Sequence, residues 1–465
     1  MSNTHGDLQG LNLLFVAYFY PPTDSTGVPG CMRTLKFVRN LTNGNCHVLT
    51  TNPSVSPSQD SLGHISLPAN GEHIHRTSTL DIFRILLSVR KRIRALLAGK
   101  QQSSPLPVQS VLKTDPDDAV NRRSRLQRLK DFVYDICYFP DQAGPWIIPA
   151  FIRGVRVVRK HNIDAIFATG SPWSGLVVGY LVSRATGKPL IVDFRDPWMN
   201  NPFHLSKGRL LDSWSARLER KVVHHASAVS LNTDPLRAEF LLRYPDIEPD
   251  RFFVMPNGFD PEDFRDIRPE PREESDDTLV LCHAGFLYGV RDPAVLLEAI
   301  REANKSLREQ GKRIIFRQIG DVHLGYDISE RYADLVSDGT LVLDKSRPYR
   351  ECLSALTSAD IVVNVQPGTK TQIPSKLYDY LAINKPILNI TSAEGALGDL
   401  VLRKGLGDLV SFDQQEKLTR LLMDYCVSGL PQQFEGYENR SDFSVTHIAR
   451  ELAERMAECT RERKQ

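Results

Sequence analysis

Short runs rich in β-branched and other apolar residues alternate with longer stretches of helical periodicity through most of the 465 residues. That alternation predicts stacked βαβ units around parallel sheets. A first series of strands is expected at Asn12–Ala17, Cys46–Leu49, Ala165–Ala168, Leu190–Asp193, Ala228–Leu231 and Phe252–Met255. A second is expected at Leu279–His283, Ile314–Ile319, Leu341–Leu343, Ile361–Val365, Ile387–Ile390 and Leu409–Ser411, with helices such as Pro293–Glu309 and Pro374–Ile383 between its members. Between the two series, Pro256 to Asp277 is rich in Pro, Glu and Asp and poor in apolar residues, so it is read as a connection that enters neither core. The pattern predicts an α/β chain of two doubly wound domains, over 1–256 and 278–443. A linker at 257–277 joins them, and an amphipathic helix over Thr446 to Glu462 closes the chain within 444–465. Periodicity does not say which domain that last helix covers. Two doubly wound sheets place two sets of strand carboxyl ends across a cleft, where ligands collect.

The segment from Asn52 to about Lys130 breaks the alternation. Its Ser/Pro-rich parts (Pro53–Ser61, Ser103–Pro107) read as loops, whereas Asp81–Ala98 carries Ile82, Leu86, Val89, Ile93 and Leu96 at helical spacing among Arg84, Arg90, Lys91, Arg92 and Arg94. A second basic cluster follows at Arg122, Arg123, Arg125, Arg128 and Lys130. Two readings stay open: attachment to an anionic membrane surface through residues 78–130, or a stripe packed on the first domain with its basic face solvated.

Composition changes this picture little. With 41% hydrophobic and 25% charged residues and 29 each of Gly and Pro, the chain is neither collagen-like nor disordered. The net charge of +2 is unevenly spread, since residues 78–130 hold twelve Lys/Arg against four Asp and the remainder is net acidic. An anionic partner is therefore met locally. No run approaches the ~18–20 apolar residues that span a bilayer. The opening run Leu11 to Tyr20 lacks a preceding basic segment and ends in Pro21-Pro22, so it reads as a first strand and not a secretory leader, and the protein is expected in the cytoplasm. Seven scattered cysteines without a C-x-x-C pair fit reduced thiols. Nucleic-acid binding is disfavoured, because the basic residues have no interleaved aromatics for base stacking.

Candidate chemistry gathers at the strand exits. The first strand runs into Tyr20–Gly30, whose Gly27 and Gly30 precede a helical pattern from Cys31 to Leu41; such a turn lets backbone N–H groups approach a phosphate or sugar. It lacks the G-x-G-x-x-G spacing of a dinucleotide fold. The strand ending at Asp193 leads into Phe194-Arg195-Asp196-Pro197-Trp198, where Arg195 and Asp196 either form a structural ion pair or orient a sugar or acceptor hydroxyl. In the second domain a strand leads into His283-Ala284-Gly285-Phe286-Leu287-Tyr288-Gly289-Val290-Arg291, whose glycine admits a ligand and whose Arg291 supplies positive potential for a diphosphate. Further on, Pro374-Ser375-Lys376 opens a helix with a cation in its first turn. That opposes the helix dipole unless an anion lies between them. Asp379, one turn on, either accepts ribose hydroxyls or makes a plain i, i+3 pair with Lys376.

These segments together resemble the retaining glycosyltransferases of the GT-B fold, in the family-four group that includes many bacterial polysaccharide and lipopolysaccharide sugar transferases. The resemblance is carried by Phe15–Pro22, by Pro140-Asp141 with Gly144 and Trp146, by Asp193–Trp198, by Pro256–Asp260 and by Pro374–Ala382. It implies two Rossmann-like domains, the second binding a nucleotide-activated sugar and the first supplying the acceptor side. The family's Glu-x7-Glu pair falls on Thr371 and Asp379, its diphosphate-binding Arg and Lys on Phe286 and Arg291, and a His found in many relatives on Arg195. Lys376 is then expected to replace the missing cation.

On this resemblance the chain is expected to move a sugar from a nucleoside diphosphate donor to a hydroxyl of an acceptor glycan or lipid-linked sugar, with retention and without a metal or other cofactor. Arg195, Asp196, Arg291 and Lys376 are the candidate catalytic residues; Gly27, Gly30, Gly285, Ser375 and Asp379 are candidates for binding. A sugar-nucleotide epimerase and a non-catalytic sugar-nucleotide-binding subunit are the alternatives. Peripheral attachment to the inner face of the plasma membrane would follow from the membrane reading of residues 78–130.

Overall fold

The computed structural model describes residues 10–22, 29–41, 44–53, 66–81, 125–201, 206–272, 275, 277–430 and 434–463. Seven parallel strands form the first sheet: β1 (Asn12–Val16), β2 (Asn45–Thr51), β3 (His73–Thr77), β4 (Ala165–Gly170), β5 (Leu190–Phe194), β6 (Ala228–Leu231) and β7 (Phe252–Val254). Their order is β3-β2-β1-β4-β5-β6-β7. The second series is β8 (Thr278–Ala284), β9 (Leu287–Tyr288), β10 (Arg313–Ile319), β11 (Val322–His323), β12 (Leu341–Asp344), β13 (Ile361–Val365), β14 (Ile387–Ile390) and β15 (Asp408–Val410). Six of these make a parallel sheet in the order β12-β10-β8-β13-β14-β15, while β9 and β11 pair separately. In each sheet the strand order reverses beside the first strand of its series, which is the switch point where doubly wound folds bind ligands.

Each sheet is covered on both faces, which is why its strands are nearly continuous apolar runs. Leu14, Val16, Ile166 and Val192 pack on one face of the first sheet, and Leu13, Phe15, Phe167 and Ile191 on the other. Two further apolar clusters cover the second sheet.

The closing helix, Val445–Glu462, packs on the first domain. Val445, Ile448, Ala449, Leu452, Ala453, Met456 and Cys459 recur at helical spacing and are buried against Leu13, Phe15 and Phe37. Full burial of a Leu, Ile, Val or Met side chain stabilises by ~1.5–3 kcal/mol, so this stripe is enough to pin the return crossing. That crossing runs beside the outward one, where Phe259 N donates to Phe443 O at 3.0 Å and Val445 N to Phe259 O at 2.8 Å.

Three expectations need correction. The stretch 52–130 is not wholly outside the alternation, because His73–Thr77 adds an edge strand to the first sheet and a helix begins at Arg125. The linker does enter a core: Phe259 is buried and Phe264 packs against the same cluster of the second domain. Two of its acidic residues, Asp260 and Asp263, are neutralised by Lys36 and Arg39 of the first helix. Finally, Gly30 lies in that helix (Pro29–Asn40) and not in the turn before it. Gly27 and the basic pattern over residues 82–98 lie outside the described residues.

Candidate active site

At the exit of β8 the chain turns through Gly285 at φ +135°, a conformation that favours glycine. A Cβ at this position would overlap the ammonium of Lys376. Lys376 is the first residue of the helix Lys376–Ile383, so the glycine admits the lysine to the strand exit. Gln318 fixes the turn by donating from Nε2 to Gly285 O at 2.7 Å and to Gly320 O at 3.3 Å. His283 Nδ1 lies 2.7 Å from Gln318 Oε1. Burial, then the charges of Lys376 and Arg291, push the His283 pKa well below the ordinary range. Gln318 Oε1 can only accept, so His283 donates its Nδ1–H to it.

Lys376 and Arg291 act on the same site. Burial first, and Arg291 second, push the Lys376 pKa down to about 8. Arg291 lies 5.0 Å over the ring of Tyr288, and its buried Nε has no hydrogen-bond partner among the described residues. Among the described residues neither cation is joined to a carboxylate by an ion pair. Two unneutralised cations at the mouth of a strand-turn-helix unit raise the local potential and favour an anion.

Ser375 occupies the position before this helix and makes no side-chain cap bond. Asp379 is one turn on but does not pair with Lys376. It accepts a hydrogen bond from Tyr349 Oη at 3.0 Å and lies 3.8 Å from Lys36 of the first domain. Burial raises its pKa.

The facing exit in the first domain is organised differently. Asp193, fully buried, accepts from Arg33 Nε and Nη2 at 3.0 Å each, from Thr169 Oγ1 at 2.7 Å and from Ser230 Oγ at 2.9 Å. Arg33 also donates to Met255 O, Pro256 O and Asn257 Oδ1 at 2.6–3.0 Å. Its guanidinium thus ties the first helix to β5 and to the interdomain crossing. Three residues on, Lys36 lies 3.5 Å from Asp263, and three further Arg39 reaches Asp260 and Asp263 at 2.6 and 2.5 Å.

Arg195 is buried and turned inward, donating to the carbonyls of Gly170 and Ser171. Asp196 makes no ion pair with it but accepts from Gln372 Nε2 of the second domain at 2.8 Å. Beside this, Thr233 Oγ1 donates to Thr371 O at 2.7 Å. The carboxyl ends of the first sheet therefore meet the loop that delivers Lys376. Asp141 receives Ser174 N and Oγ at 3.0 and 2.7 Å, and Trp146 Nε1 donates to Thr77 Oγ1 at 2.7 Å.

The structure thus gathers Gly285, Arg291, Ser375 and Lys376 at one exit, places Arg195 and Asp196 at the other, and sets Asp379 at the contact between domains. Sequence reading missed Gln318, Arg33, Lys36 and Arg39. The i, i+3, i+6 spacing of the last three was visible, but their carboxylate partners lie far along the chain.

Residues 93–258 match the family model described as "Glycosyl transferase 4-like domain". No curated protein sequence matches the chain. Among solved structures it is similar to the lipopolysaccharide outer core galactosyltransferase WaaB, at 10% identity and TM-score 0.52 over 95% of this chain and 98% of that one. Sucrose-phosphate synthase from Thermosynechococcus elongatus matches at 13% identity and TM-score 0.53, over 95% and 96%. The E. coli trehalose-6-phosphate structure bound with UDP-2-fluoro glucose matches at 10% and 0.52, over 98% and 99%. These likenesses and the two parallel sheets identify the architecture as GT-B, two Rossmann-like domains facing one another.

Proposed function

We propose that the protein is a retaining glycosyltransferase that moves a sugar from a nucleoside diphosphate donor to an acceptor hydroxyl. The observation that carries this reading is a pair of cations without an ion pair to a carboxylate among the described residues: Lys376, set against Gly285 at the exit of β8, and Arg291, whose charge acts on it. A departing diphosphate gains negative charge in the transition state, and fixed cations aimed at that charge accelerate its departure. Lys376 and Arg291 take this electrostatic role without a required metal, and the incoming hydroxyl delivers its proton to the leaving β-phosphate oxygen. The match to a glycosyl transferase 4-like domain and the neighbour bound with UDP-2-fluoro glucose support a nucleotide-sugar donor.

The acceptor in this reading is a glycan or lipid-linked sugar used in bacterial surface polysaccharide or glycolipid synthesis. The excess of basic residues over 78–130 would then anchor the enzyme to the inner face of the plasma membrane. No described helix is long and apolar enough to cross a membrane.

The test is thermal unfolding of the wild-type and K376A proteins against UDP-, GDP-, ADP- and dTDP-sugars, followed by transfer assays with the donor that binds. A ligand of the native state raises its melting temperature. The reading requires a donor that stabilises the wild type and is largely lost by K376A; equal binding by both proteins, or no donor at all, overturns it.

A further inference from the structure

At the edge of the first sheet, away from the strand exits, three histidines from different elements meet. His47 lies early in β2, His75 lies on the edge strand β3, and His161 follows the helix Ile147–Lys160 as its C-cap. One ring nitrogen from each falls within 4.8 Å of the other two. His47 Nδ1 and His75 Nε2 are 3.0 Å apart with their rings 2° from parallel, and the His161 ring centroid is 4.5 Å from that of His47. His73, register partner of His47, stacks on it at 4.8 Å and limits its rotation. His47 and His75 are buried.

We propose that His47, His75 and His161 form a binding site for a borderline divalent transition-metal ion, with zinc as the type ion and a fourth, exchangeable position left to solvent. Zn–N bonds of about 2.0–2.1 Å in tetrahedral geometry put ligand nitrogens about 3.3–3.4 Å apart. The present spacings, 3.0 Å for the closest pair and at most 4.8 Å for the others, reach that value by opening the closest pair slightly and drawing the half-exposed His161 inward. Imidazole binds metal in its neutral form. Burial, then the neighbouring histidines, lower the pKa of His47 to about 4, and burial is also the leading cause for His75, at about 4. Arg153 and Lys160 act on His161 by charge and oppose an added dication, so binding is weaker than at an all-thiolate site. The ion would clip edge strand β3 and the end of the 147–160 helix to β2. Being at the entry side of the strands, it takes no part in sugar transfer.

The test uses the untagged full-length chain, stripped with chelator and dialysed against limiting Zn2+ or Co2+. One ion per chain is expected, with the intense visible absorption of tetrahedral Co2+ and a melting temperature that rises with zinc and falls back with chelator. H161Q, at the half-exposed helix cap, should lose at least tenfold in affinity while its circular dichroism stays that of the wild type, and H75N should do the same. Substoichiometric binding, or wild-type affinity in both variants, overturns the assignment.

Discussion

The two strand exits that face each other across the domains both gather charge, but they handle it in opposite ways. In the first domain Asp193 and Arg33 satisfy each other and the surrounding hydroxyls and carbonyls, and Arg195 is consumed by two backbone carbonyls. In the second, Arg291 and Lys376 make no ion pair with a carboxylate among the described residues, and the lysine's affinity for its proton is depressed. A completed network is a structural device. An incomplete one has stability withheld from the empty fold and available to a ligand.

The strongest way to break this contrast is at Asp193. Removing one partner of a buried ion pair leaves an uncompensated charge and costs ~3–5 kcal/mol. D193A should therefore unfold at markedly lower urea, read by circular dichroism, with lost activity tracking lost protein. A D193A chain of wild-type stability that had lost only donor binding would move the functional centre to the first domain.

K376A is the converse. Loss of one preorganised charge-stabilising donor typically lowers turnover ~10²–10³-fold. The same change should leave the urea midpoint unchanged or raise it, because a desolvated cation is removed. Near-normal turnover would end the assignment of Lys376.

How far the sequence reaches differs between these exits for a physical reason. Buried parallel strands are apolar runs, so β4, β5, β6, β8, β13 and β14 were legible to within a residue or two. The edge strand β3, His-Ile-His-Arg-Thr, is mostly polar and carries no such signal. Gly285 and Lys376 were legible as chemical types at strand exits, since glycine and a misplaced cation are local features. Arg33 was not, because a helical arginine looks solvated until its partner at Asp193 is folded against it. The inward turn of Arg195 was hidden likewise, its acceptors being backbone carbonyls that leave no mark in the sequence.

The contrast sharpens with pH. Lys376 titrates near 8 in the folded protein, below the ordinary lysine value, so between those two values the unfolded chain binds the extra proton. Stability should rise as pH climbs through that window, while donor affinity falls, because the anion needs the protonated form. The donor KM is expected to increase up to about tenfold per pH unit above ~8. K376R, which stays charged, should flatten that slope; an unchanged slope would assign the titration to another group.

The finest test concerns the joint between the exits, where Gln372 donates to Asp196. A hydrogen bond of this kind is worth ~0.5–1.5 kcal/mol net, which amounts to about a two- to tenfold effect. Because Gln372 lies in the loop that delivers Lys376, Q372A should raise the donor KM within that range and leave the unfolding midpoint in place. If Asp196 acts only as acceptor for this bond, D196A should match Q372A, D196N should come closer to the wild type, and the double variant Q372A/D196A should be no worse than either single one. A D196N protein that loses a thousandfold in kcat would instead place a reacting carboxylate at the first exit, and the division into a structural and a reactive side would fail there first.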